Sequence, residues 1–402
     1  MRKRTLVWAG IAALLVAVGG WYASLDKETR GLLAALPTNR DVLVWTLPQR
    51  DAAFRAMDKM TLLADTRTIQ PSAQPLSLPP GKPLDVPGID TYMAGQRAAG
   101  LIILQDGKVR FEQYGLGFDA KGRWTSFSVA KSFTSTLVGA AIQDGAIKSL
   151  EDNLSLYIPD LRGSAYDGVT VRQLLTMSTG VRWNEDYEDP NSDVSRFNNA
   201  EPEPGMDATV SYLRKLPRAH PPGTVWNYST GETNLIGVLV SSATKKPLAQ
   251  YLQEKIWQPA GMEAPATWLL GKTGHEIAGC CIEAETRDFA RFGLFVLAGG
   301  AAGGQQIVPR DWFAKATTKQ IDIGEPGHGY GFQWWTYDDG SVAAQGIFGQ
   351  GIFIDPKRHL VIASNGDWTR ATKGPEPEAR EAFYKQIQRL IDAEQTGQRP
   401  PS

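Results

Sequence analysis

A stretch of strand grammar occurs twice in this chain, and it limits the possible folds more than any other feature. Near residue 100 the apolar run 101–104 is followed by Asp106-Gly107 and a second run, 109–114, the signature of a tight hairpin. The pattern returns toward the C-terminus. Runs at 332–337, 342–345, 352–354 and 360–364, punctuated by Asp339-Gly340 and Asp355-Pro356, read as an antiparallel meander of three or four strands. Between the two blocks the text is mostly helical and loop-like, with helices expected at 128–143, closed by Asp144-Gly145, and at 286–297, closed by Gly299-Gly300. Strand edges need partners, so the expectation is an α+β fold. One antiparallel sheet is assembled from N- and C-terminal segments, flanked by helices and carrying a mostly helical insertion. A last helix at about 377–393 packs back on that sheet.

The first residues read as an address. Arg2, Lys3 and Arg4 precede an uncharged stretch, 6–23, that ends before Asp26 and Lys27. At 1.5 Å per residue this stretch spans a bilayer core when its uncharged flanks contribute. The basic cluster places the N-terminus in the cytoplasm and the body in the periplasm or exterior. An uncleaved inner-membrane anchor is the reading taken, over a cleaved signal peptide, because no small-x-small site follows Trp21 and Tyr22. The expected organisation is a membrane segment, 1–25, and a helical and Pro-rich extension, 26–98, whose stretch 70–87 is a linker or wrapping arm. The folded domain follows at 99–395, with a tail at 396–402.

Composition removes several function classes. Lys plus Arg is 42 against 43 for Asp plus Glu, so nothing marks the chain for nucleic acid. His220, His275, His328 and His359 are scattered without metal-ligand spacing, and no metal or cofactor is expected. Cys280 and Cys281 are neighbours, a placement that argues against an ordinary disulfide, and they read as reduced or structural. There is no Gly-x-Ser-x-Gly elbow and no phosphate-cradling glycine loop.

The chemistry centres on Ser128-Val129-Ala130-Lys131. A lysine three positions after a serine on a helix lies on the same face, where its amine can serve the hydroxyl as a base. Ser-x-x-Lys also occurs at Ser24/Lys27 and Ser242/Lys245, so context must choose. The first abuts the membrane segment, and in the second Lys245 reads as a solvated helix-end charge. Only Ser128 starts a helix, and that helix is apolar nearly all round, with Val129, Phe133, Leu137, Val138 and Ile142. Its burial makes Lys131 costly unless the lysine serves a polar site. An N-capping serine followed by a surface lysine is the bland alternative.

The order of Ser128-x-x-Lys131, then Leu174-Leu175-Thr176-Met177-Ser178-Thr179-Gly180, then Pro222-Gly223-Thr224-Val225-Trp226-Asn227-Tyr228-Ser229-Thr230, resembles the serine β-lactamase and penicillin-binding-protein superfamily. Within it the chain is similar to the class C-like branch that holds 6-aminohexanoate-dimer hydrolases and related esterases. The resemblance runs from about Gly100 to Asp367. It implies that Tyr228 is the tyrosine of the Tyr-x-Asn motif and shares proton transfer with Lys131, whose charge is expected to lower the phenol's pKa. Thr230 stands where that motif has its asparagine. The third family motif falls on Ala344-Gln345-Gly346, followed by Ile347-Phe348-Gly349-Gln350. The cation that serves β-lactamases and cell-wall peptidases is replaced by Ala344, while Gly346 still lets substrate approach the strand. By the same resemblance the amides of Ser128 and Ile347 form the oxyanion hole, and Tyr187 binds the scissile amide nitrogen. An i, i+4 packing pair with Trp183 is the other reading of Tyr187. Trp334 and Trp335 read as core packing.

The expected function is a serine hydrolase that cleaves a carboxylic ester or linear amide through an acyl-enzyme. Two rivals remain: a β-lactamase or D-alanyl-D-alanine carboxypeptidase, and a non-catalytic binding module on the same fold.

Overall fold

The computed structural model describes residues 2–39, 42–60 and 65–396. Of the expected tail, 397–402 lies outside the described residues. The main sheet has seven antiparallel strands: β1 (Ala98–Gln105), β2 (Lys108–Tyr114), β3 (His328–Tyr330), β4 (Trp335–Tyr337), β5 (Val342–Gln345), β6 (Gly351–Asp355) and β7 (Leu360–Gly366). Their spatial order is β2-β1-β7-β6-β5-β4-β3. The two termini therefore meet at its centre, where Ile102 pairs with Ala363 and Ile103 with Ile362.

Strand periodicity explains why β1 is apolar at almost every position. Successive side chains face opposite sides of a sheet. Ile102, Leu104, Ile352, Ile354, Val361 and Ala363 join the large core on one side. Leu101, Ile103, Phe353, Leu360 and Ile362 face the other, covered by Phe383, Tyr384, Ile387 and Ile391 of the C-terminal helix Glu376–Thr396. The Pro-rich stretch is a wrapping arm that shields the outer edge strand β2. Val109 N–H donates to the Pro79 carbonyl (2.9 Å), Gly81 N–H to Val109 (2.8 Å) and Leu84 N–H to Arg110 (2.8 Å).

Two features depart from the sequence reading. The strand expected over 332–337 is only Trp335–Tyr337, preceded by a tight turn in which Gly331 N–H donates to Trp334 O (2.8 Å), and an unexpected strand, His328–Tyr330, forms the sheet edge. Gln333, at φ 63°, breaks the strand because its side chain is a buried crosslink, donating to Leu175 O and accepting from Thr233. A second, four-stranded sheet was not expected at all. It joins Thr66–Ile69, Ala266–Leu269, Ile282–Ala284 and Trp124–Thr125, pieces too short and too far apart in sequence to signal one another.

The N-terminal extension is packed on the body. Arg50 is 3% exposed and pairs with fully buried Asp367 (2.9 Å), and Arg97 grips Asp51. The N-terminal helix Arg2–Ser24 contains a stretch, Val7–Ser24, that is apolar and long enough to cross a membrane and is not covered by the fold.

Candidate active site

The helix Ala130–Gln143 begins immediately after a tight turn, Phe127–Val129, that carries Ser128. This turn is held on both sides. Ser126 N–H donates to Ile282 O (2.8 Å), Ile282 N–H donates to the Ser126 hydroxyl (2.9 Å), and Phe127 takes a left-handed φ of 41°. A phenylalanine in that region is strained and persists only where its surroundings fix it. Here its ring packs between Phe54 and Phe348. Residues 130–141 are all buried, and the polar ones among them crosslink the core. Ser132 donates to Gln333 O, Ser135 to Phe332 O and Thr134 to Ala278 O.

Lys131 is 2% exposed. Its Nζ donates to Thr230 Oγ1 and to the Gly279 carbonyl, each at 3.0 Å, and lies 5.4 Å from the centre of the Tyr228 ring. An added Cβ at Gly279 would come within 2.9 Å of that Nζ and would push the amine from its place. Burial holds the lysine's pKa down at about 8, against the opposing pull of the Glu185 carboxylate.

The other two motifs converge on this point. Asn227 N–H donates to Met177 O (2.8 Å) and Gly223 N–H to Ser178 O (2.6 Å), tying 222–230 to the segment after the capping-box helix Val171–Leu175. Ser229 caps the helix Thr230–Thr244 by accepting from Glu232 N–H (3.1 Å). Tyr228, just before the cap, stands near enough to the Ser128 side chain to act on it. Its phenol is raised above the usual tyrosine range by burial and by Glu185, which corrects the expectation of a lowered value. Desolvation and a carboxylate disfavour phenolate more than the nearby amine favours it. Trp335 stacks on the Tyr228 ring (5.8 Å between centres, 24° between planes), whereas Trp334 stacks on Phe292 in the core. Core packing thus describes Trp334 alone.

A cleft of about 400 Å³ opens beside Ser128, and Tyr187, Thr230 and Ile347 share its wall. Ser128 and Ile347 lie in the first turns of short helical segments, where N–H groups have no intrahelical acceptor. Tyr187 is not a helical packing partner of Trp183, since 183–187 is irregular and Trp183 packs on Phe197 and Tyr212. Gly346 is needed for a reason the sequence did not show: a Cβ there would sit 2.8 Å from Ser126 O and block the strand from the nucleophile turn. Ala344 is buried in the main core. Cys280 and Cys281, also on the cleft wall, stand side by side at a turn where Cys281 has φ 74°.

Two contributions were missed by sequence reasoning. Glu185 sits inside the polar run Asn184-Glu185-Asp186, which reads as ordinary solvated loop. The extension supplies Val42, Leu43, Trp45 and Met57 to the cleft wall, and nothing local announced it.

The family model for "Beta-lactamase" matches residues 89–382. The chain is 29% identical over 309 residues to a 6-aminohexanoate-dimer hydrolase of Paenarthrobacter ureafaciens, covering 72% of this chain and 76% of that one. It is 27% identical over 187 residues to a Beta-lactamase of Pseudomonas fluorescens, covering 44% and 48%. A solved structure from Bacillus anthracis, provisionally named a 6-aminohexanoate-dimer hydrolase, superposes with a TM-score of 0.76 at 24% identity, covering 86% of this chain and 95% of that one. With a family match over most of its length and the α+β architecture to go with it, the chain belongs to the Beta-lactamase family and is a serine hydrolase.

Proposed function

We propose that the protein hydrolyses a carboxylic ester or a linear amide through an acyl-enzyme on Ser128. The observation that carries this reading is the placement of Lys131, buried beside the nucleophile with a pKa near 8, while the strand position that carries a cation in β-lactam-recognising relatives is a core alanine. About a tenth of such a lysine is neutral at pH 7, a useful fraction for a general base. Neutral Lys131 takes the Ser128 proton as Oγ attacks the carbonyl carbon, and the amides of Ser128 and Ile347 receive the oxyanion. The leaving group departs with a proton passed through Tyr228, which its raised pKa keeps in the donor form. Water then attacks the acyl carbon and gives its proton to Lys131, the acyl–Oγ bond breaks, Ser128 Oγ takes that proton back from Lys131, and the acid leaves. Tyr187 and Thr230 bind the substrate side, and Gly346 admits the scissile group to the strand.

The 29% identical relative supports a linear amide such as 6-aminohexanoate dimer as the first substrate to try. We further propose residues 99–395 as the hydrolase domain, 26–98 as an extension, and the N-terminal helix as an inner-membrane anchor that holds the body in the periplasm. Resistance to alkaline extraction and protease access from the periplasmic side are the expected results; release by carbonate would sink the anchor.

The test of function is turnover by the full chain in detergent of p-nitrophenyl esters, 6-aminohexanoate dimer and a chromogenic cephalosporin, with Ser128→Ala as control. Ester or linear-amide turnover lost in the variant, with the cephalosporin intact, is expected. Cephalosporin hydrolysis would instead favour the β-lactamase reading, and inactivity on every substrate would favour a binding module.

A further inference from the structure

Glu185 is the acceptor on which several residues around the catalytic group converge. From the irregular segment 183–187 its carboxylate accepts from the Thr230 N–H (3.0 Å), the Thr230 hydroxyl, the Tyr187 hydroxyl (2.7 Å) and the Trp183 indole N–H. Three of these donors belong to residues that line or flank the cleft beside Ser128.

The hydrogen-bond directions have a consequence. A hydroxyl has one proton. Because the Thr230 proton is given to Glu185, Thr230 Oγ1 can only accept from Lys131. Gly279 O, a carbonyl, can also only accept. A neutral amine has two N–H bonds and one lone pair, and both N–H bonds are thereby committed to Thr230 and Gly279. The lone pair takes the remaining tetrahedral direction, and the i, i+3 spacing puts Ser128 on the same side of the chain to meet it. Were Thr230 free to rotate, its hydroxyl could donate into that lone pair and disable the base.

We propose that Glu185 is a positioning residue that orients Thr230 as an acceptor and so keeps the Lys131 lone pair available to Ser128. The inference rests on the reading of Ser128 and Lys131 given above. It assigns a purpose to Thr230 in place of the family's asparagine: a side chain with a single rotatable proton can be set by one carboxylate.

The electrostatic surroundings make the idea testable. Groups facing Lys131 are Ser128 on its own turn, Tyr228 and Thr230 at the start of the neighbouring helix, Asn234 one turn on through Gly279 N–H (2.8 Å), and Glu185. Tyr187 stands behind Glu185 and Tyr330 behind Tyr228. Glu232, held by Thr179 and Tyr166, faces the other side of the same helix turn and is raised to about 8 by burial. Among them Glu185 is the carboxylate whose charge acts on Lys131, and it raises the lysine's pKa. Its removal must therefore move the acid limb of the rate profile to lower pH.

The experiment is the pre-steady-state burst of p-nitrophenol from p-nitrophenyl acetate, measured from pH 5 to 10 on the full chain. Glu185→Gln is expected to lower the plateau acylation rate at least ~10-fold, within the range that general-base catalysis supplies, and to shift the acid limb down by about half a pH unit or more. Glu185→Asp, which keeps the charge, is expected to restore the position of the limb. An unchanged burst, or an equal loss at every pH with the limb unmoved, would overturn the proposal and leave Glu185 a structural cap. If Glu185→Gln does not fold, Thr230→Val cuts the same chain at its middle, and a wild-type plateau there overturns the proposal equally. A burst that persists in Ser128→Ala would instead remove the nucleophile assignment, whatever Glu185 does.

Discussion

Lys131 and Glu283 are equally shut off from water, at 2% and 0% exposure, and their surroundings treat them in opposite ways. Lys131 has two acceptors at 3.0 Å and a carboxylate behind one of them. Glu283 sits on the four-stranded sheet between Thr125 and Thr267, with the paired charges of Asp58 and Arg123 acting on it in opposite senses and neither carboxylate oxygen in a well-formed hydrogen bond. Burial perturbs both groups, raising the Glu283 pKa well above the usual carboxylate range and lowering that of Lys131. The difference teaches that a perturbed pKa does not by itself mark a working residue. Lys131 shares a helix face with a hydroxyl at a cleft, whereas Glu283 is a neutral acid inside a sheet.

The largest expected effect breaks the comparison at its catalytic end. Ser128→Ala should lower ester turnover by about 10³-fold or more, measured as steady-state kcat/KM, because no second nucleophile is placed at the turn. Lys131→Met should lower it by about 10²-fold to 10⁴-fold while leaving the thermal midpoint unchanged or higher, since a buried amine is replaced by an apolar side chain of similar length. A lower midpoint with retained activity would make Lys131 structural. In the wild type kcat/KM should rise with pH through about 8, as Lys131 loses its proton; a flat profile between pH 6 and 9 would remove it as the base.

Glu283 supplies the opposite experiment. In the folded protein it stays protonated where the unfolded chain would ionise, so unfolding releases a proton and stability falls as pH rises above the ordinary glutamate value near ~4.3. Glu283→Gln should therefore stabilise, by about 1 kcal/mol or more in denaturant titrations at pH 8 and less at pH 4, with turnover unchanged. Equal effects at both pH values would show a hidden partner for the carboxylate. The smallest effect is expected at Trp45. Trp45→Ala should change KM across an acyl-chain series by about 2-fold to 10-fold, as one missing apolar wall of a pocket does.

The sequence made the centre of this molecule readable and left its margins dark. The hairpin β1–β2, the meander and the nucleophile helix were legible because each signal is local: alternation, Asp-Gly turns and an apolar run closed by Asp-Gly. Ser128 and Lys131 could be read because they are three residues apart, and Tyr228 because its motif recurs in order. Glu185, Gly279 and Trp45 were opaque for the opposite reason. Each acts on residues far away in the chain, and none differs locally from an ordinary loop residue. The lowered phenol expected at Tyr228 failed because burial and Glu185 overrode a rule drawn from the neighbouring lysine.

The central strand pair has a consequence for synthesis. β1 leaves the ribosome early, but its neighbour β7 lies near the end of the chain, and Leu101 meets Ser364 only when that end arrives. Closing so long a loop is slow and entropically costly, so contacts of this kind form late in folding. Until then the edge of β1 that β7 will cover has no strand beside it and is open to other chains. A chain that ends before residue 360 lacks β7, and β6, which follows Ile347, then has no neighbour on its central side. The order of the strands beside the nucleophile turn thus waits on the last strand of the chain to arrive.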